Sequence, residues 1–73
     1  MKYNVAEMLQ DAIHYMTDNR VSVLNPIQNY NDCWYLEAHW LDDYYYLYSR
    51  LDVYDFIKAV ILDRPQDADE FLT

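Results

Sequence analysis

Residues 34–51 decide the fold, and they read WYLEAHWLDDYYYLYSRL. Apolar side chains alternate with more polar ones up to the last tryptophan, as in a strand with one buried face. After the pair Asp42-Asp43, residues 44–48 hold four tyrosines, and tyrosine favours strands. The stretch therefore predicts a β-hairpin whose two-residue turn is Asp42-Asp43.

The register set by this turn separates an apolar face from an amphipathic one. Trp40 lies opposite Tyr45, His39 lies opposite Tyr46, and residues directly opposite one another share a face. The apolar face holds Trp34, Leu36, Ala38, Trp40, Tyr45, Leu47 and Leu51. The other face, which we call the tyrosine face, holds Tyr35, Glu37, His39, Tyr44, Tyr46, Tyr48 and Arg50.

Residues 44–51 also satisfy a helical pattern. The apolar positions that fit it are Tyr44, Leu47, Tyr48 and Leu51. The strand is favoured because this helical pattern does not continue in register into the next segment. The tyrosine face depends on that choice.

Amphipathic helices are predicted before and after the hairpin. The first spans residues 4–18, where Asn4 and Glu7 resemble a capping box. The second spans residues 52–62 and is capped by Asp52. The apolar stripes are Val5, Met8, Leu9, Ala12, Ile13 and Met16 in the first helix, and Val53, Phe56, Ile57, Val60 and Ile61 in the second.

The remaining segments predict a short strand, a loop and a terminal turn. Val21 and Val23 alternate as in a strand, which Asn25-Pro26 breaks or places at a sheet edge. Residues 29–32 are predicted to be a loop, and residues 66–72 a turn. The order α-β-β-β-α predicts a single α+β domain over the whole chain, with two amphipathic helices packed on one face of a small antiparallel sheet.

Glycine is absent, so tight turns must use other residues that tolerate a left-handed backbone. Asparagine and aspartate do so most readily. The candidates are Asn19 at the end of the first helix, Asn25, Asn29, Asn31, Asp42 and Asp43.

The composition predicts a small acidic domain with a basic partner. The chain has 73 residues, of which 53% are hydrophobic, enough for one core. Thirteen acidic residues against five basic ones give a net charge of −8. Phosphate backbones and anionic membranes both require a cationic surface, so direct binding to nucleic acid or membrane is not expected.

Cysteine usage and hydropathy predict a reducing cytoplasm. Cys33 is the only cysteine, so no internal disulfide is expected. The N-terminus reaches Glu7 before any long apolar run, which predicts no signal peptide. No stretch approaches the roughly 20 apolar residues of a membrane span.

No pattern predicts catalysis, a cofactor or a metal site. Cys33 is interpreted as a small packed residue, since no motif places a histidine beside it. The outer side of the first helix carries four titratable residues, namely Glu7, Asp11, His14 and Asp18. A solvated polar face explains them better than a metal site, because they point away from the core. We therefore expect a binding protein and not an enzyme.

Two features predict contact surfaces. The tyrosine face offers stiff aromatic area with polar tips, as protein interfaces do, unless the first strand or the terminal turn covers it. Carboxylates spaced along the two helices, at the hairpin tip and at the C-terminus can imitate duplex DNA, which carries one charge per about 1.7 Å. The predicted partner-binding residues are Tyr35, Glu37, Asp42, Asp43, Tyr44, Tyr46, Tyr48, Asp67, Asp69 and Glu70.

Aspartate and tyrosine recur in this glycine-free chain, in stretches such as LDDYYY (residues 41–46) and DADE (residues 67–70). This composition resembles that of the small acidic anti-defence proteins of phages and mobile elements. That class includes anti-CRISPR proteins, anti-restriction proteins and uracil-glycosylase inhibitors. The resemblance implies a DNA mimic that blocks a basic nucleic-acid-binding protein such as a CRISPR effector.

An alternative function is a structural or regulatory adaptor that forms a homodimer. Contiguous exposed aromatic side chains, as on the tyrosine face, usually mark a contact site. The element order also resembles that of double-stranded RNA-binding domains. The chain lacks their basic residues, so that function is rejected.

Overall fold

The computed structural model describes residues 5–28 and 34–73. Its elements are α1 (Val5–Met16), β1 (Ser22–Gln28), β2 (Trp34–Trp40), β3 (Asp43–Leu47), α2 (Arg50–Ile61) and a C-terminal 3-10 helix (Pro65–Phe71). The strands pair antiparallel in the order β1-β2-β3. The predicted α+β class and element order are confirmed. Three predictions fall outside the described residues. They are the loop at residues 29–32, the packing of Cys33 and the capping role of Asn4.

The hairpin turns one residue earlier than the sequence predicts. Trp40 pairs with Asp43, so Leu41 and Asp42 form the turn, with φ of 52° and 66°. Positive φ at both central residues is the type I′ arrangement, whose twist suits the flanking strands. In the predicted register Trp40 lies opposite Tyr45, two positions further on. That register is wrong, yet a shift of two preserves the alternation of side chains and therefore both faces.

α2 begins at Arg50, two residues earlier than the sequence predicts, and β3 is correspondingly shorter. Ser49, not Asp52, is the N-cap, and its hydroxyl accepts the Asp52 backbone N–H at 3.1 Å. The Asp52 carboxylate accepts the Tyr48 backbone N–H at 3.0 Å, in a variant of the capping box. Arg50 and Leu51 consequently belong to the helix and not to the hairpin. Leu51 is 67% exposed, so its predicted place on the apolar face is wrong.

The core lies between the helices and one face of the sheet. Phe56 packs against Tyr45 and Trp40, with ring centroids 5.0 Å and 6.0 Å apart. The buried hydrophobic residues are Ala6, Ile13, Val21, Val23, Leu36, Ala38, Trp40, Tyr45, Leu47, Val53, Phe56, Ile57, Ala59, Val60, Ala68 and Phe71. Half-buried Trp34 packs against them. Apart from Leu51, the predicted apolar sheet face is confirmed.

The buried stripe of α1 agrees only in part with the one that the sequence predicts. Ile13 is buried and Leu9 packs against the core, as predicted, but Met8 and Met16 are 43% and 51% exposed, and Ala6, which is not in the predicted stripe, is buried. Thr17 continues the buried line, and its hydroxyl donates to the Ile13 carbonyl, which satisfies a polar group inside the core. Helical spacing alone fits several neighbouring stripes, so it does not determine which of them is buried.

β1 is an edge strand with an irregularity where the sequence predicts a break. Its register against β2 shifts between Leu24 and Ile27, the segment that contains Asn25-Pro26. Proline has no N–H to donate to a ladder, so it is tolerated at sheet edges and bulges. The edge placement is therefore confirmed.

Aspartate takes the place of glycine where the helices end. Asp18 follows α1 and Asp63 follows α2, each with φ of 55°. The next amides, from Asn19 and Arg64, donate to carbonyls five residues earlier at 2.8 Å and 2.9 Å. Asn19 has φ of 60°, so its predicted left-handed backbone is confirmed. Asp43, another predicted candidate, lies in β3 instead.

Candidate partner-binding surface

The sheet face opposite the core carries the predicted tyrosines. Tyr35, Tyr46 and Tyr48 form a cluster that we call the surface trio, with ring centroids 5.8, 5.9 and 6.2 Å apart. Tilted and edge-on contacts of this kind are favourable between aromatic rings, so the three rings hold one another in place. Among the described residues, every side chain of this face is exposed or half-buried.

The predicted alternative, in which another segment covers the tyrosine face, is not seen in the described part of the chain. β1 pairs beside β2, and the C-terminal segment lies along the far edge of β3 through the Tyr45–Leu72 bridge. β1 and the C-terminal segment therefore lie at the two edges of the sheet and not over the tyrosine face. Tyr44 and Tyr48 stay 47% and 62% exposed.

The phenol of Tyr46 in the surface trio interacts with a carboxylate on the neighbouring strand. Tyr46 lies opposite Glu37 on β2. The hydrogen bond to Glu37, followed by the negative charge of that carboxylate, raises the pKa of Tyr46 above its ordinary value of 10.0. Tyr46 therefore stays protonated, as a donor, at neutral pH.

His39 and Tyr44 extend the tyrosine face toward the hairpin tip. They lie opposite one another, and their rings stack with centroids 4.8 Å apart and an interplanar angle of 18°. The predicted contact of His39 with Tyr46 is wrong, because the register differs by two positions. Arg50 is also absent from this face, since it is the first residue of α2.

The fold brings the hairpin tip beside the C-terminal segment. Leu72 bridges Tyr45, which places the 3-10 helix next to the start of β3. Burial raises the pKa of Tyr45, and the negative charges of Asp43 and Asp69 raise it further. Two carboxylates that are distant in sequence therefore lie near one side chain.

The other predicted carboxylates are exposed around this junction. Asp42 lies in the hairpin turn, and Glu70 lies in the 3-10 helix. Asp67 forms an ion pair with Arg64, with 3.1 Å between Oδ2 and Nε. The arginine partly neutralises the negative charge of the Asp67 carboxylate. The carboxylates left to a partner, which we call the acidic edge, are Asp42, Asp43, Asp69 and Glu70.

A polar pocket lies where the surface trio meets the acidic edge. Its volume is about 290 Å³, and it is lined by Tyr46, Tyr48, Asp52, Glu70, Phe71 and Leu72. The sequence predicts Asp52 only as a helix cap. Its position near Glu70 depends on how the chain reverses after α2, which no local pattern specifies.

An apolar groove on the helical side was also missed by the sequence prediction. It has a volume of about 250 Å³ and is lined by Met16, Tyr54, Ile57, Lys58, Ile61 and Leu62. Met16 and Ile61 are predicted in the core, but they are 51% and 49% exposed. The helices bury narrower stripes than the apolar spacing suggests, and the excess apolar surface lines this groove.

The outer side of α1 is polar, as predicted. Glu7, Asp11 and Asp18 are exposed, and His14 is half-buried. Within residues 5–28 and 34–73, no three His, Cys, Asp or Glu residues are grouped so as to hold a metal ion. In the same ranges, every helix is too short or too polar to cross a bilayer.

Comparison of the chain with protein families, curated proteins and solved structures finds no match. Its surfaces are therefore the guide to its function. Two of them, the surface trio and the acidic edge, adjoin one another at a pocket. Together they place exposed aromatic area beside negative charge.

Proposed function

We propose that this chain is an acidic inhibitor that binds a basic nucleic-acid-binding protein, such as a CRISPR effector, and blocks its nucleic-acid site. The observation that carries the proposal is the acidic edge, where the Tyr45–Leu72 bridge and the Thr73 N–H bond to the Tyr44 carbonyl hold the acidic C-terminal segment beside β3. Carboxylates held on a folded backbone can occupy positions that phosphates would take in a cationic channel. The anti-defence composition supports the same class of function.

Charge and aromatic area would act at different stages of binding. The net charge of −8 attracts a cationic partner over a distance and speeds association, more strongly at low salt. The surface trio then supplies the stiff contact area that a phosphate backbone lacks. We place this encounter in the cytoplasm, in line with the single cysteine of the chain.

We propose binding without catalysis. The pKa values of Tyr45 and Tyr46 are raised, so neither phenol is activated as a nucleophile or a base at neutral pH. The carboxylates of the acidic edge are exposed. These are properties of a contact surface.

A pair of matched variants tests the electrostatic part of the proposal. The edge-neutralised variant (Asp43→Asn, Asp69→Asn) and the control variant (Asp11→Asn, Asp63→Asn) each remove two exposed carboxylates. The immobilised chain is used to capture partners from a nuclease-treated lysate, and affinity is then measured at several salt concentrations. Edge neutralisation should weaken binding by about tenfold or more and flatten its salt dependence. Equal affinity of the two variants would rule out the acidic edge as the contact.

Self-association through the tyrosine face is the second candidate function. The observation that favours it is the exposure of Tyr44 and Tyr48 on that face, 47% and 62%. Sedimentation separates the candidates: a dimer that dissociates on Tyr46→Glu and Tyr48→Glu supports the adaptor. A monomer at high concentration counts against it.

A further inference from the structure

We infer that the pocket between the surface trio and the acidic edge takes an arginine side chain of the partner. This inference rests on the proposed function and names the group that the inhibitor recognises. The pocket volume is about 290 Å³, just below the roughly 300 Å³ at which pockets for small molecules begin. One long side chain therefore fits it better than a larger ligand.

The aromatic wall of the pocket suits a planar cation. Tyr46 and Tyr48 stand perpendicular, with an interplanar angle of 88° and centroids 6.2 Å apart. Cations are attracted to the face of an aromatic ring, and a guanidinium group also stacks on it. The rings of Tyr35 and Tyr48 already pack against Tyr46, so that ring is held in place before any ligand arrives.

Charge in the pocket is supplied chiefly by Glu70. Asp52 lies in the first turn of α2, where the helix dipole is positive, and it already accepts the Tyr48 N–H at 3.0 Å. Its charge is therefore largely offset by the helix. Glu70 is exposed in the 3-10 helix and can accept two parallel N–H bonds from a guanidinium group. None of the residues described as lining the pocket is lysine or arginine.

The apolar side of the pocket suits the stem of the same side chain. Leu72 is 42% exposed and lies beside the buried Phe71, so the hydrocarbon on this side of the pocket is presented mainly by Leu72. Arginine lays its methylene groups along such a surface while its head reaches polar partners. The pocket thus matches the three parts of one arginine side chain. The aromatic wall suits the guanidinium plane, Glu70 suits its positive charge, and the apolar side suits the methylene stem.

NMR titration of the isotope-labelled full chain with L-arginine amide tests the inference without any partner. L-citrulline amide, whose side chain is an uncharged analogue of similar shape on the same α-amine, and L-lysine amide are the controls. Saturable shifts should be confined to residues 46–52 and 70–72 and be absent with citrulline amide. Glu70→Gln should weaken binding about tenfold, since it removes a charged acceptor. The Asp63→Asn variant removes one negative charge beyond the far end of α2, about 16 Å from Asp52 along the helix axis, and should leave binding unchanged.

Three results would overturn the inference. They are equal binding of citrulline or lysine amide, shifts spread over all acidic residues, and unchanged affinity in Glu70→Gln. Glu70 is exposed, so that variant should fold normally. Because the probe is a small molecule, a negative titration leaves the inhibitor proposal standing. If arginine amide binds but no partner is captured from the lysate, the proposed function is contradicted and the assignment of the pocket to arginine stands.

Discussion

An aromatic trio lies against each face of the hairpin, and the two trios differ in burial more than in the spacing of their rings. The core trio of Trp40, Tyr45 and Phe56 has ring centroids 5.0, 6.0 and 6.2 Å apart. Those of the surface trio are 5.8, 5.9 and 6.2 Å apart. The core rings are at most 4% exposed, whereas Tyr48 of the surface trio is 62% exposed.

This difference separates residues that hold the fold from residues available to a partner. Burying an aromatic side chain removes a large apolar area from water, which stabilises the folded chain. The rings of the surface trio are only partly removed from water, so much of that gain is left for a partner that covers them. Their position beside the acidic edge adds charge to the same contact.

The largest expected effect is on the core trio. Phe56→Ala should lower the free energy of unfolding by about 3–5 kcal/mol, because it removes a ring that is 0% exposed. Tyr48→Ala should lower it by less than about 1 kcal/mol. Urea denaturation at neutral pH measures both. Similar losses in the two variants would contradict the division of roles between the trios.

Partner binding, unlike stability, should depend mainly on the surface trio. Tyr48→Ala should weaken partner binding by about 2 kcal/mol, as loss of an interface tyrosine does. Tyr54→Ala is a matched control, because Tyr54 is 61% exposed but lines the apolar groove on the helical side. Isothermal titration with the captured partner compares them. A larger loss for Tyr54→Ala would move the interface from the tyrosine face to the helices.

The turn that joins the two strands should yield a smaller effect. Leu41 has φ of 52°, and a left-handed backbone costs an ordinary L-residue roughly 1–2 kcal/mol. Asparagine tolerates that region, so Leu41→Asn should stabilise the fold by about 1 kcal/mol with the same register. Thermal unfolding measures the gain. A loss of stability would mean that the Leu41 side chain makes contacts that outweigh the backbone cost.

The smallest effect is confined to alkaline pH. The pKa of Tyr45 is raised above 10.0 in the folded chain, chiefly by burial. The unfolded chain therefore releases its proton first, and stability should fall as pH rises above about 10 and toward the folded-state pKa. Tyr45→Phe should remove this part of the fall while keeping the ring. An unchanged pH dependence in Tyr45→Phe would indicate that other groups cause it.

The architecture could be predicted from the sequence because the alternation of side chains between the two sheet faces is unchanged by a two-residue error in register. A two-position shift moved the partner of Trp40 from Tyr45 to Asp43 but left every strand residue on its predicted face. The turn was misplaced because aspartate suits a left-handed backbone better than leucine does. Pairing of Asp43 with Trp40 nevertheless puts Leu41 in the turn.

The parts of the candidate site could be predicted, but their arrangement could not. Tyrosine alternation identified the tyrosine face, and charge counting identified the acidic segments. The proximity of Asp69 to Asp43 and of Glu70 to Asp52 depends on the C-terminal segment returning along β3. That return is a tertiary contact between distant segments, which neither periodicity nor capping signals encode.

Displacement of nucleic acid from the captured partner tests the central claim most directly. Fluorescence anisotropy of a labelled duplex bound to the partner is followed while the chain is added, at low and at high salt. The chain and its control variant should release the duplex, less effectively at high salt, whereas the edge-neutralised variant should release it poorly. A stable complex of chain, partner and duplex, or equal release by both variants, would contradict the account.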